Sequence, residues 1–173
     1  MRTPLGAGNW KMNGDMVSNT TLLQGLVAGA ASNADVEWLV CPPFPYLPLA
    51  IEQLQNSHIQ VGAQNVANQI SGAYTGEVSA SMLKDLGCQY VIIGHSERRL
   101  YNGETPAMTA AKVVLAVACG LKPILCLGES AEQKNAGQTE RVIIEQLSAV
   151  LQHVDIAKVL PLLTVAYEPV WAI

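Results

Sequence analysis

Short apolar runs alternate with longer stretches of helical periodicity along the whole chain. Six runs have the length and residue types of strands; in order they read PLGAGNW, VEWLVCPP, HIQVGAQNV, QYVIIGH, KPILCLGE and PLLTVAYEP. Each run is nearly all apolar, which is typical of parallel strands with both faces covered. The alternation of strand and helix therefore predicts an α/β protein with about six βα units in a single domain over residues 1–173.

Helix-start and helix-stop residues occur between these runs. The first helix is expected to begin at about Ser18 or Asn19 and to end near Asn33. The other predicted helices cover residues 45–55, 79–87, 105–120 and 139–152. Their boundaries are marked by Gly87 as a C-terminal stop, by the Thr105–Pro106 start, and by a capping box of Ser130 with Gln133.

Two architectures fit helices placed between parallel strands. One is a doubly wound open sheet and the other is a closed barrel. No linker, low-complexity tract or solenoid repeat interrupts the series. In both architectures the functional side chains gather at the carboxyl ends of the strands, so the polar residues there are the ones to inspect.

Composition excludes several classes of function. Charged residues are 14% of the chain and the formal net charge is -4, so there is no basic field for binding nucleic acid. The longest apolar run, VVLAVACGL, is well short of the roughly 20 residues of a spanning helix. The four cysteines lack the short spacings of zinc sites and are expected to be reduced, buried thiols. These features predict a soluble cytoplasmic protein without a membrane, nucleic-acid or metal partner.

Polar residues follow five of the six predicted strands. They are Asn9 and Lys11 after the first strand, Gln64 and Asn65 after the third, His95 after the fourth, Glu129 after the fifth and Glu168 after the sixth. Because these residues all follow strands of one apolar sheet, their side chains are expected to lie close together at one edge of it.

PLGAGNWK also resembles the start of a dinucleotide-binding fingerprint, but a lysine occupies the position of the third glycine in that motif, so that interpretation is rejected.

His95 leaves a buried strand and meets Ser96 and Glu97, which suit the first turn of a helix. A helix amino end disfavours positive charge, so one interpretation of His95 is a neutral imidazole that donates a hydrogen bond. The other interpretation is a histidine that packs in the core or caps the helix.

Lys11 lies between Trp10 and Met12. It is either a binding residue for an anionic substrate or an ordinary solvated lysine.

Six stretches together resemble the triosephosphate isomerase family. They are NWKMNG at 9–14, GAQN at 62–65, GAYTGE at 72–77, VIIGHSERR at 91–99, CLGE at 126–129 and AYEPVWAI at 166–173. Any one of them is a weak signal, but all six occur in the order of the family and span the chain. The resemblance implies a TIM (β/α)8 barrel that interconverts dihydroxyacetone phosphate and D-glyceraldehyde 3-phosphate, in glycolysis and gluconeogenesis, through an enediolate.

The resemblance also implies roles for individual residues. Glu168 corresponds to the general base, and His95 to the group that hydrogen-bonds the enediolate oxygens. Lys11, with Asn9 beside it, corresponds to the residue that binds substrate and stabilises the oxyanion, and Glu97 to the residue that orients that lysine. Neither cofactor nor metal is implied.

Two further expectations follow from the resemblance. Thr75 and Gly76 match the loop that reaches a second subunit, so a homodimer is expected. A complete barrel of this class typically has about 250 residues, so the chain is expected to be an amino-terminal partial sequence that stops after strand six. The alternative is a catalytically inactive barrel fragment that acts only as an association module, because its open strand edges favour association.

Overall fold

Six parallel strands form one sheet in the computed structural model, which describes residues 3–30 and 35–172. The strands are β1 (Leu5–Asn9), β2 (Glu37–Cys41), β3 (Ile59–Ala63), β4 (Tyr90–Ile93), β5 (Lys122–Leu127) and β6 (Thr164–Tyr167). Each strand lies within one of the six apolar runs. The strand prediction is therefore confirmed.

The order of the strands in the sheet decides between the two architectures. Neighbours in the sheet are neighbours in the sequence, from β1 to β6, and every pair is parallel. A doubly wound sheet needs a reversal of this order, and the described strands contain none. Right-handed crossover connections that all proceed in the same direction along the sheet place their helices on the same face of the sheet. The described residues therefore form six strands of a TIM (β/α)8 barrel, and the doubly wound alternative is excluded.

Apolar side chains pack on both faces of the sheet. The inner cluster is built from Leu39, Cys41, Tyr90, Ile92, Ile124 and Cys126, all no more than 6% exposed. Because side chains alternate along a strand, Val40, Val91 and Leu125 belong to the other cluster, which the helices share. The presence of two cores explains why the strand runs are apolar at successive positions.

Helices connect the strands. They are α1 (Met16–Ala30), α2 (Leu47–Leu54), α3 (Ala80–Leu86), α4 (Ser96–Tyr101), α5 (Pro106–Ala118), α6 (Ala131–Asn135), α7 (Thr139–Leu151) and α8 (Ile156–Val159), with 3-10 turns at Phe44–Tyr46 and Val170–Ala172. The predicted start of α1 is wrong by two residues. The Asp15 carboxylate accepts a hydrogen bond of 2.8 Å from the Ser18 amide, so Asp15 is the N-cap residue of this helix. The predicted end at Asn33 lies outside the described residues.

Three predicted boundary signals are confirmed by cap geometry, whereas the helix predicted over 45–55 begins only at Leu47, after the 3-10 turn. Gly87 ends α3 with a φ of 109°, a left-handed conformation that favours glycine. The Thr105 hydroxyl accepts from the amide of Met108 at the start of α5, and Ser130 and Gln133 form the capping box of α6. The short helix α8 was not predicted, because four residues are too few to show a helical period.

The cysteines are free thiols, and Cys41, Cys88 and Cys126 are buried. Burial raises the pKa of Cys88 to about 11 and that of Cys126 to about 12, so both thiols stay protonated at neutral pH. The interpretation as small buried apolar residues is confirmed for these three cysteines, whereas Cys119 is only partly buried. No helix in the described part of the chain is long and apolar enough to cross a bilayer.

Candidate active site

The carboxyl ends of β4 and β6 bring His95 and Glu168 into contact. His95 directly precedes α4 and is 5% exposed, whereas the Glu168 side chain is 42% exposed. The His95 Nε2 and Glu168 Oε2 atoms are 3.2 Å apart. A largely solvent-accessible carboxylate thus lies against a buried imidazole at the end of the sheet where barrel active sites form.

The orientation of the His95 ring is set at its other ring nitrogen. Nδ1 accepts a hydrogen bond of 3.3 Å from the Glu97 amide, and Glu97 Oε2 lies 3.5 Å from the same nitrogen. The amide carries a fixed hydrogen, so Nδ1 is the acceptor in this contact. This contact leaves Nε2 facing Glu168, where an Nε2–H group can donate a hydrogen bond.

Lys11 is held at the site by both its backbone and its side chain. It has a φ of 53°, the one non-glycine residue with positive φ in the described chain, and its amide donates to Asn9 Oδ1 over 3.0 Å. The Gln64 amide group donates to the carbonyl oxygens of Lys11 and Cys41, each at 2.8 Å. The Lys11 Nζ lies 2.6 Å from Glu97 Oε1. A strained backbone at a strand end indicates a functional constraint on the direction of this lysine.

The Lys11–Glu97 pair contributes little to folding. The two side chains are 37% and 42% exposed, and pairs with that much solvent contact are worth at most about 1 kcal/mol. The pair borders a cleft of about 490 Å³ that His95 also lines. A cleft of similar size, about 500 Å³, lies between α1 and strands β1 and β2, but its lining carries no charged side chain. The Lys11 cleft is therefore the one equipped for chemistry on an anion.

One of the polar strand-end residues points elsewhere. Glu129 accepts hydrogen bonds from the hydroxyl of Tyr167 at 3.1 Å and the indole of Trp171 at 3.0 Å, and it does not line the Lys11 cleft. The expectation that the whole strand-end set converges is therefore wrong for Glu129. Asn65 does line the cleft, and its side-chain oxygen accepts a hydrogen bond of 2.8 Å from the buried Lys112 ammonium.

The hydrogen bonds to Glu129 make a testable contribution to acid stability. The Trp171 indole, together with the hydroxyls of Tyr167 and Thr139, lowers the pKa of Glu129 below its usual 4.5. A carboxylate with a lowered folded pKa stabilises the fold above its unfolded pKa, and that contribution disappears as the pH falls through the folded value. We expect the Tm of the unaltered protein to fall more steeply than that of Glu129→Gln between about pH 4.5 and about pH 3.

Differential scanning calorimetry at several pH values measures this difference. The control is Glu140→Gln, at an exposed position on α7, which should follow the unaltered protein. Parallel curves for Glu129→Gln and the unaltered protein would mean that the Glu129 contacts do not favour its ionised form.

Arg98 and Arg99, which follow Glu97, make inward contacts that the sequence analysis missed. Arg98 contacts the buried carboxylate of Glu104, which also contacts Lys112. Arg99 donates to main-chain oxygens at the ends of β4 and β5. A charged pair directly after a buried strand, in a chain with only 14% charged residues, is a signal that could have indicated these inward contacts.

The site combines a carboxylate, an N–H donor and an ammonium group. A carboxylate can remove a proton from carbon, and the two donors can stabilise the oxyanion that results. Among residues 3–30 and 35–172, no three His, Cys, Asp or Glu side chains group as metal ligands would. Fold and site together define a (β/α)-barrel protein whose polar centre lies at the carboxyl ends of the strands.

Comparison with known proteins identifies the family. The sequence model described as triosephosphate isomerase matches residues 4–173. Triosephosphate isomerase from Hydrogenovibrio crunogenus is 53% identical over 174 residues, covering 100% of this chain and 68% of that protein. The enzymes from Herminiimonas arsenicoxydans and Coxiella burnetii are 50% and 51% identical, over 69% and 68% of their lengths. The chain belongs to the triosephosphate isomerase family.

Proposed function

We propose that this protein is a triose-phosphate isomerase that interconverts dihydroxyacetone phosphate and D-glyceraldehyde 3-phosphate. The observation that carries the proposal is the contact of 3.2 Å between Glu168 Oε2 and His95 Nε2, while the other ring nitrogen of His95, Nδ1, accepts from the Glu97 amide. The two compounds differ only in the position of a carbonyl group and a proton on neighbouring carbons. Exchanging them needs one base to move the carbon-bound proton, and oxyanion donors beside which the hydroxyl proton passes from one oxygen to the other.

Glu168 is the proposed general base. It takes a proton from the carbon next to the substrate carbonyl and returns it to the neighbouring carbon, so an enediolate is formed between the two steps. Its main chain is anchored because the Glu168 amide donates to the Leu127 carbonyl over 2.8 Å. The side chain is 42% exposed, so its carboxylate can reach a substrate in the cleft.

His95 and Lys11 are the proposed stabilisers of the enediolate. The His95 Nε2–H faces the site and can donate to the oxygens on which negative charge develops. Lys11 supplies a positive charge for the anionic substrate, with its backbone oriented by Asn9 and its ammonium oriented by Glu97. The chemistry is a proton transfer, so no redox cofactor is required.

The cellular setting is also proposed. A triose-phosphate isomerase serves glycolysis and gluconeogenesis, and free cysteine thiols suit a reducing compartment such as the cytoplasm. The net charge of -4 does not favour binding to nucleic acid. We infer that residues 1–173 belong to a single barrel domain.

A coupled assay tests the proposal. The whole protein that the gene encodes is supplied with D-glyceraldehyde 3-phosphate, and an NADH-dependent dehydrogenase consumes the dihydroxyacetone phosphate formed. Oxidation of NADH that depends on the protein supports the isomerase. Absence of turnover by a folded protein would contradict it and favour a non-catalytic association module.

A homodimer is the proposed assembly. Residues 69–77 form an exposed stretch, and the Ala67 amide closes its base by donating to the Val78 carbonyl over 2.8 Å. Tyr101, 77% exposed, lies on the Lys11 cleft, and Met12 there is 95% exposed. Exposed apolar side chains beside a cleft are typical of a surface that a partner covers. The stretch that contains Thr75 and Gly76 is the proposed occupant of the cleft in a second copy.

The variant Thr75→Arg is expected to shift the protein from dimer to monomer, because a long charged side chain would have to be buried in the partner's cleft. Sedimentation velocity measures the change. Thr21→Arg, at an exposed position on α1, is the matched control and should leave the dimer intact. A monomeric unaltered protein, or an unchanged dimer in Thr75→Arg, would contradict the proposed interface.

A further inference from the structure

The guanidinium group of Arg99 connects the ends of two neighbouring strands. Its Nη1 donates to the carbonyl oxygens of Gly94, at the end of β4, and Cys126, in β5, at 2.5 Å and 2.9 Å. Its Nη2 donates to the carbonyl of Gly128, just after β5, at 3.3 Å. A planar group with several donors in fixed directions can hold three acceptors at once, which an ammonium cannot do with the same geometry.

Each end of this hydrogen-bonded bridge is next to the main chain of one proposed catalytic residue. Gly94 is joined to His95 in the chain. Gly128 packs closely against the main chain of Glu168. A Cβ atom placed on Gly128 would lie only 2.0 Å from the Glu168 carbonyl oxygen, so there is no room for a side chain there. The Glu168 amide also donates to the Leu127 carbonyl over 2.8 Å. His95 and Glu168 lie on strands separated by β5, so their spacing depends on how the end of β5 is fixed.

We propose that Arg99 is a positioning residue that sets the distance between His95 and Glu168 by bracing the ends of β4 and β5. The inference rests on the proposed isomerase function for its kinetic readout. Arg99 does not touch the reacting atoms and acts through the main chain that carries them. Burial lowers the pKa of Arg99 below its usual range, but a guanidinium remains charged at neutral pH.

Arg99→Met keeps an unbranched apolar stem but has no guanidinium group, so it removes all three hydrogen bonds. Without the brace, His95 and Glu168 are no longer held at their separation, and misplacement of about 1 Å at reacting groups can cost about 100-fold in rate. We expect kcat per folded protein to fall about 100-fold. We expect KM to stay within about twofold, because Lys11 and Asn9 lie on the other side of the site, after β1.

Two further variants complete the kinetic test. Arg99→Lys keeps the charge but cannot span both strands, so its kcat should fall about tenfold. The control is Arg141→Met, in an exposed pair with Glu145, which should leave both constants unchanged. The proposal is overturned if both Arg99 variants keep kcat per folded protein within about threefold of the unaltered value, or if KM rises as much as kcat falls.

A second measurement does not depend on activity. In protein labelled with ¹⁵N-histidine, the His95 Nε2–H signal reports the contact with Glu168. We expect this signal to move or to disappear in Arg99→Met and Arg99→Lys, and to be unchanged in Arg141→Met. An unchanged His95 signal in both Arg99 variants would refute the brace. A shifted signal in a protein that never isomerises triose phosphates would instead support the brace and refute the proposed function.

Discussion

Replacing Glu168 by glutamine is expected to lower kcat by about 10²- to 10⁴-fold, the usual range for loss of a general base. Glutamine has the same shape but cannot accept a proton from carbon. The expected change in KM is small, because the lost interaction is made mainly in the transition state. Steady-state kinetics with the coupled dehydrogenase assay measures both constants.

The control for this prediction is Glu140→Gln, which removes one carboxylate at an exposed position of α7. It should retain the full kcat. A Glu168→Gln protein with kcat within about tenfold of the unaltered value would exclude Glu168 as the base. The remaining activity would then have to come from another group at the site.

Replacing Glu104 by glutamine is expected to lower the free energy of unfolding by about 3–5 kcal/mol. The Glu104 side chain is 2% exposed and contacts both Arg98 and Lys112, whose own side chain is 4% exposed. Burial lowers the pKa of Lys112, and Glu104 opposes that shift. Without the carboxylate, the buried ammonium has only neutral oxygens as partners, among them that of Asn65 at 2.8 Å.

Urea unfolding followed by circular dichroism measures this loss. The matched control is Glu145→Gln, which breaks the Arg141–Glu145 pair, whose side chains are 68% and 61% exposed. Such an exposed pair is worth about 0.2–1 kcal/mol. Equal losses in the two variants would mean that the Glu104 cluster is not acting as a buried ion-pair network.

The fold was largely predictable because its signals are local. Strand runs such as QYVIIGH and caps such as Thr105 are read within a few residues, and both occur where expected. The choice between open sheet and barrel was not local, since it depends on the order of strands in space. The resemblance carried by the six motifs predicted the barrel, and the order of the strands in the sheet, with no reversal, confirmed it. The start of α1 was missed because Asp15, one residue before an apolar stretch, was not recognised as the cap.

The candidate site was predictable only in part. His95, Glu168 and Lys11 were found because each follows a strand, and parallel strands direct their carboxyl ends to one edge. The same rule was wrong for Glu129, because its carboxylate has partners in neighbouring elements. The charged pair Arg98–Arg99 after a buried strand is a signal for inward contacts, but it does not identify the partners, which are main-chain oxygens for Arg99 and the Glu104 carboxylate for Arg98.

The most direct test of the proposed proton transfer is isomerisation in D2O. The whole protein converts D-glyceraldehyde 3-phosphate while ¹H NMR follows the carbon-bound hydrogens of the dihydroxyacetone phosphate formed. If Glu168 exchanges its proton with solvent while the enediolate exists, the product will carry deuterium on the carbon that receives the proton, and Glu168→Gln will slow its formation. Conversion that transfers the original hydrogen without any deuterium, at the same rate in Glu168→Gln, would contradict the proposed mechanism.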